Sequence, residues 1–144
     1  MVDSDFWVNR KVLLTGHTGF KGSWLCMLLN SIGVNLYGFS LKKPVSDPSL
    51  FTILNLDSKM TDFRGDITNP AICNEIFDKI APEILIHMAA QPLVRESYKS
   101  PISTFETNVI GTVNILESIQ YCNSVEAAIL ITTDKVYKNN EDGK

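Results

Sequence analysis

Two stretches of the chain carry residue types and spacings that do chemistry. Thr132-Thr133-Asp134-Lys135 places a hydroxyl, an acid and an amine in succession at the end of an apolar run. Those groups accept, donate and orient protons. The same four residues also read as a polar exit turn, with Asp134 and Lys135 paired to each other. Far upstream, Gly16, Gly19 and Gly22 stand at three-residue spacing, after Val12–Thr15 and before an apolar helical run from Trp24 to Ile32. Strand, glycine turn, helix is the context in which bare backbone approaches a diphosphate. Gly16 allows the sharp turn, a missing Cβ at Gly19 opens the main chain to the phosphates, and Gly22 lets the helix pack close to the sheet. The helix N-terminus then presents unpaired N–H groups and partial positive charge. Position 18 is Thr, so the spacing is G-x-x-G-x-x-G.

Two smaller groups join these. Asp66, in R-G-D-I-T, offers a carboxylate for an adenine amine with Ile67 against the ring, or else caps a turn. Ala89-Ala90-Gln91 supplies small residues that permit close ligand approach, or a plain turn ended by Pro92. His87 reads as a core histidine at a strand end, not a catalyst.

The elements that must position these groups alternate along the chain. Val12–Thr15 reads as the first strand, followed by a helix over about Phe20–Ser31 with Trp24, Leu25, Leu28 and Leu29 inward and Gly33 past its end. Val34–Ser40 is a second strand, residues 41–49 a loop, Ser49–Leu54 a short helical turn and Met60–Arg64 a third strand. Asn69-Pro70 starts a helix, cap then proline, that turns Ile72, Ile76, Phe77 and Ile80 inward. Ile84–His87 is a strand buried on both faces, and 88–93 a loop. A long helix follows Pro101, with Ile102, Phe105, Val109, Val113, Leu116 and Ile119 at helical period. Gly111 within it costs about 1 kcal/mol relative to Ala, which implies close packing. Ala127–Thr133 is the fifth strand. This β-α order predicts an α/β, Rossmann-like, doubly wound parallel sheet of order 3-2-1-4-5. Ligands bind such sheets at the carboxyl ends of the strands, where all four polar or glycine-rich segments fall.

Composition sets limits. The 144 residues suffice for one core; 44 % are apolar, 20 % charged, and the net charge is -3. That balance gives no case for nucleic acid or an anionic membrane. No apolar run spans a bilayer, and the N-terminus lacks the regions of a signal peptide, so a cytoplasmic protein is expected. Cys26, Cys73 and Cys122 sit apart in helical patterns as small buried hydrophobes. With only His17 and His87 beside them, no metal site is expected.

These motifs resemble the nucleotide-sugar branch of the extended short-chain dehydrogenase/reductases, over residues 10–141. Within that branch T-G-H-T-G-F-K-G-S-W-L (15–25), Y-G-F-S-L (37–41), P-S-L-F (48–51), A-A-Q-P-L-V-R-E-S-Y (89–98), T-N-V-I-G-T (107–112) and T-T-D-K-V-Y-K-N (132–139) most resemble the CDP-glucose 4,6-dehydratases. The resemblance implies NAD as cofactor, held by Gly16, Thr18, Gly19, Phe20, Lys21, Gly22, Ser40, Asp66, Ile67, Ala89, Ala90, Gln91, Thr107 and Thr132. It implies CDP-glucose as substrate, oxidised at C4, dehydrated across C5–C6 and reduced at C6. Thr133 then holds the C4 oxygen, Asp134 protonates the leaving hydroxyl and Lys135 takes the C5 proton. A homodimer through the helix at 101–121 is implied too.

Two departures stand out. Strand two ends at Ser40, where NAD sites usually place an acid for the ribose, and Lys42 and Lys43 would suit a 2′-phosphate, so NADP stays open. The family's Tyr-x-x-x-Lys pair is absent, because Leu41, Ile102, Val125 and Glu141 lie four residues after the four tyrosines. The chain is therefore expected to be the N-terminal part of a longer enzyme, lacking the substrate domain and inactive alone. A 4-epimerase of the same family and a non-catalytic dinucleotide-binding module are the alternatives.

Overall fold

The computed structural model describes residues 3–44 and 46–133. After a single helical turn, α1 (Ser4–Trp7), the chain enters β1 (Lys11–Thr15), α2 (Phe20–Ser31) and β2 (Asn35–Ser40). A short helix, α3 (Leu50–Ile53), and a 3₁₀ turn (Leu56–Lys59) lead to β3 (Thr61–Arg64), α4 (Pro70–Ile80) and β4 (Ile84–His87). Then come α5 (Val94–Lys99), α6 (Pro101–Phe105), a widened π-helical turn (Glu106–Ile110), α7 (Gly111–Tyr121) and β5 (Ala127–Leu130). The strands form one parallel sheet in the order β3-β2-β1-β4-β5, as the sequence predicts.

Alternation along β1 divides the core. Val12 and Leu14 face Cys26 and Leu29 of α2, with Phe51 and Leu56 closing that side. Leu13 faces the other layer, with Phe39, Cys73, Ile76, Phe77, Ile80, Leu85 and Ile115. The central strands are covered on both faces, and β4 is buried throughout. Asn69 caps α4 by accepting N–H groups from Ala71 and Ile72, with Pro70 in the first turn. Gly33, at φ 78°, lets the chain leave α2.

Three expectations need correction. In α2 the residues turned inward are Gly22, Ser23, Cys26 and Leu29; Trp24 and Leu28 are about half exposed. Small side chains let this helix lie close on the sheet, and the large ones are left outside. The long helix behaves alike: Gly111, Asn114, Ile115 and Ser118 are buried, while Ile102, Phe105, Val109, Val113 and Leu116 are exposed. A Cβ on Gly111 would come within 2.6 Å of Ile67 Cδ1, the close packing its presence implied. Finally, β5 ends at Leu130, not Thr133: β4 ends at His87, whose carbonyl accepts the Ile131 N–H at 2.9 Å. The short helix α5 falls where the sequence signals no element, because V-R-E-S-Y-K lacks an apolar period.

Among the described residues, no helix is long and apolar enough to cross a membrane, and no His/Cys/Asp/Glu group could hold a metal ion.

Candidate functional site

The strand register brings the ends of β1, β2 and β4 level: Thr15 lies opposite both Phe39 and His87. The chain leaves β1 at Gly16 in the left-handed region (φ 73°), its N–H held by the Phe39 carbonyl at 2.9 Å. A Cβ there would sit 2.7 Å from the Ala89 nitrogen. At Gly22 a Cβ would overlap the Gly16 carbonyl oxygen and lie 2.8 Å from His17 Cα. The fold itself therefore demands these two glycines.

Gly19 is different. It is the cap of α2, in ordinary extended backbone (φ -70°, ψ 165°), and a Cβ there would meet only the Gly16 carbonyl oxygen, at 3.3 Å. Among the described residues, apart from its chain neighbours, no other atom lies within 4 Å of where that Cβ would stand. A bare N-cap, no side-chain cap bond and open space together fit a diphosphate cradled by main chain. Phe20 and Lys21 flank it from outside, both exposed. Thr18 is buried, and its N–H is tied to Ser40 Oγ at 3.4 Å. Ser40 is thus inward-facing and steadies the glycine turn.

The second half of the site is a cleft of about 260 Å³ at the carboxyl ends of β4 and β5. His87, Ala89, Ala90, Asn108, Thr112, Thr132 and Thr133 are among its lining residues. Thus the Ala-Ala segment and the two threonines, more than forty residues apart in sequence, share one cavity. Asp134 and Lys135 lie outside the described residues.

Several site residues take other duties. Asp66 is exposed, and its Oδ1 accepts the Thr68 N–H at 2.9 Å, so it does make the capping turn. The Ile67 side chain is buried in the core against Gly111, so it cannot lie against an adenine ring; only its main chain is left to meet one. The Gln91 side chain is spent on its own loop and on α6: Oε1 accepts the Leu93 N–H (2.6 Å) and Nε2 donates to Thr104 Oγ1 (3.1 Å). Thr107 sits half-buried on the widened turn.

Sequence reading missed two constellations. Asn108 clamps the Gln91 backbone, accepting its N–H at 2.7 Å and donating to its carbonyl at 3.1 Å. The only signal for it was its place in T-N-V-I-G-T. The other is His17, fully buried, whose Nε2 lies 3.0 Å from Asp62 Oδ1 with its ring edge-on to Phe51. Arg64 donates to Asp62 Oδ2 at 2.6 and 2.9 Å. Burial raises the Asp62 pKa, but the bonds from His17 and Arg64 outweigh it and hold the carboxyl below its ordinary value. Burial alone lowers His87 to about 4, as befits a core histidine.

Comparison with known proteins agrees with this geometry. The CDP-glucose 4,6-dehydratase of Salmonella typhimurium is 45 % identical over 141 residues, 98 % of this chain and 39 % of that enzyme. Among solved structures, Thermus thermophilus UDP-glucose 4-epimerase in complex with NAD is 27 % identical with a TM-score of 0.68, covering 78 % of this chain and 34 % of that one. Thermotoga maritima UDP-glucose 4-epimerase with UDP-glucose is 27 % identical with a TM-score of 0.73, covering 85 % and 37 %. The chain thus spans under two-fifths of the length of these relatives. The family described as GDP-mannose 4,6 dehydratase matches residues 13–143, and with the fold and glycine turn in agreement, the chain belongs to that family.

Proposed function

We propose that this chain is the dinucleotide-binding part of a nucleotide-sugar 4,6-dehydratase that converts CDP-glucose to CDP-4-keto-6-deoxyglucose with NAD. The observation that carries the reading is the open N-cap at Gly19 facing the same strand ends as the cleft that holds Thr132 and Thr133. The 45 % identity to a CDP-glucose 4,6-dehydratase supports the substrate. The NAD complex of an epimerase with the same fold supports the cofactor.

When bound, the dinucleotide supplies a reversible hydride acceptor for the sugar C4. The chain's own residues do the rest. The α2 N-terminus and the bare backbone at 16–22 hold the diphosphate. Asp66 Oδ2 and the main chain of Ile67 face the adenine. Ala89 and Ala90 let the nicotinamide end approach. Thr133 hydrogen-bonds the C4 oxygen, Asp134 donates a proton to the departing C6 hydroxyl, and Lys135 accepts the C5 proton. Lys135 must be neutral to do so, which calls for burial or a nearby positive charge. Lys42 and Lys43, exposed just after the buried Ser40, keep NADP as the second cofactor.

Epimerisation at C4 is the alternative, favoured by the epimerase neighbours. It needs the hydride carrier but no acid and base for water loss. The exposed stripe Ile102, Phe105, Val109, Val113 and Leu116 supports association with a second copy through the 101–121 helix.

The test is calorimetry with NAD and NADP, then mass analysis of CDP-glucose incubated with the protein that carries this chain. The proposal requires NAD binding and a product lighter by one water. A mass-neutral change of the sugar would favour the epimerase, and no dinucleotide binding would remove both.

A further inference from the structure

His87 joins the two halves of the site through a hydrogen-bond chain whose direction can be derived. Thr15 Oγ1 accepts the N–H groups of Met88 and Ala89, both at 3.1 Å. Its own hydrogen is left for His87 Nδ1, at 2.6 Å. At the other end of the ring, Thr112 Oγ1 gives its hydrogen to the Asn108 carbonyl (2.8 Å) and so accepts from His87 Nε2 at 3.1 Å. The ring therefore carries its single proton on Nε2. The chain continues through Asn108, which clamps Gln91. One end thus lies at the glycine turn, the other in the 88–91 loop. The π turn, 106–110, is what carries Asn108 to that loop; such turns often mark functional positions.

We propose that His87 is a positioning residue for the dinucleotide and sugar: neutral and protonated on Nε2, it couples the tip of β1 to the widened helical turn and so fixes the 88–91 loop. This rests on the reading of the cleft given above. A second proton, on Nδ1, would set a donor against Thr15 Oγ1, whose hydrogen would then have no acceptor. Around the ring, β1 contributes Thr15, β5 Leu130 and the helix Thr112, none of them ionisable. Asp134 and Lys135, which follow Thr133 of the cleft lining in sequence, lie outside the described residues. Burial alone keeps the ring neutral near physiological pH. In acid, the loop should lose its hold and the ligand its affinity.

Long-range 1H–15N NMR of the labelled chain reads the tautomer directly, with His87→Gln separating His87 from His17. The expected result is a neutral Nε2–H ring down to about pH 5. Calorimetry with NAD then reads the positioning role. Thr112→Val and His87→Leu should each weaken NAD by about tenfold. His87→Gln, which keeps a donor towards Thr112, should regain part of that loss and abolish the drop in affinity in acid. An Nδ1–H ring, or a His87 that titrates near 6.5, overturns the proposal; so does unchanged NAD affinity in Thr112→Val. A wild-type chain that binds no NAD while showing the Nε2–H ring sinks the dinucleotide reading, and the positioning role falls with it.

Discussion

Replacing Gly19 and Gly22 separately by Ala should divide binding from folding. At Gly22 the new methyl is driven against backbone on both sides, the Gly16 carbonyl oxygen and His17 Cα. Neither can rotate away, so α2 must move off β1, at a cost of about 3 kcal/mol or more. For a chain of this size each kcal/mol lowers Tm by roughly 4 °C, so the melting point should fall by about 12 °C or more. At Gly19 the dihedrals suit alanine and the one close neighbour is 3.3 Å away. The poorer N-cap costs about 1 kcal/mol, partly offset by the lower entropy of the unfolded chain. Tm should drop by no more than about 4 °C. NAD affinity should nevertheless drop by about tenfold or more, because the methyl occupies the space a diphosphate needs. Thermal melts by circular dichroism and calorimetric titration at one pH measure both quantities. Wild-type affinity in Gly19→Ala, or a wild-type melting point in Gly22→Ala, would refute the reasoning.

Other consequences can be checked as directly. The folded His87 pKa, about 4, lies below the unfolded value near 6.5, so the stability it contributes is complete above 6.5 and is lost as pH falls towards 4. The loss is about 3 kcal/mol, read by urea titration at pH 7 and pH 4, and Asp62, whose pKa is also lowered, acts in the same direction at lower pH. Cys26 and Cys73, pushed by burial to about 12 and about 11, should resist a thiol reagent in the native protein, and the half-buried Cys122 should react first. Lys135→Ala should abolish dehydration in the protein that carries this chain and leave NAD affinity unchanged; continued water loss would remove Lys135 as the base.

The sequence made the topology legible because each strand is marked by its apolar run and each helix by its punctuation. Phe20–Ser31 and Ile84–His87 fall where the glycine turn, Gly33 and Pro82 predict. The face of α4 was legible, with Ile76, Phe77 and Ile80 buried as expected, but the faces of α2 and α7 were not. Periodicity of large side chains points to Trp24 and Leu28, yet close helix–sheet approach selects Gly22, Ser23 and Cys26. The same inversion occurs in α7, where Asn114 is buried because its amide donates to the Ile67 carbonyl at 2.9 Å. Of the site, the glycine turn was local and therefore readable. The Thr15–His87–Thr112 chain was not, since its members come from β1, β4 and α7 and only the sheet register and the widened turn bring them together.

In the proposed function, main chain at the β1–α2 turn grips a dinucleotide whose other end enters the cleft beside β4 and β5. Titrating the labelled chain with NAD and following backbone amide shifts tests it most directly. The largest changes should fall at 16–22, then at 66–67 and 89–91 and at Thr132 and Thr133, saturating together. Shifts confined to the separate hollow near Lys43 and Thr52, or amides at 16–22 that stay still while NAD binds, would contradict it.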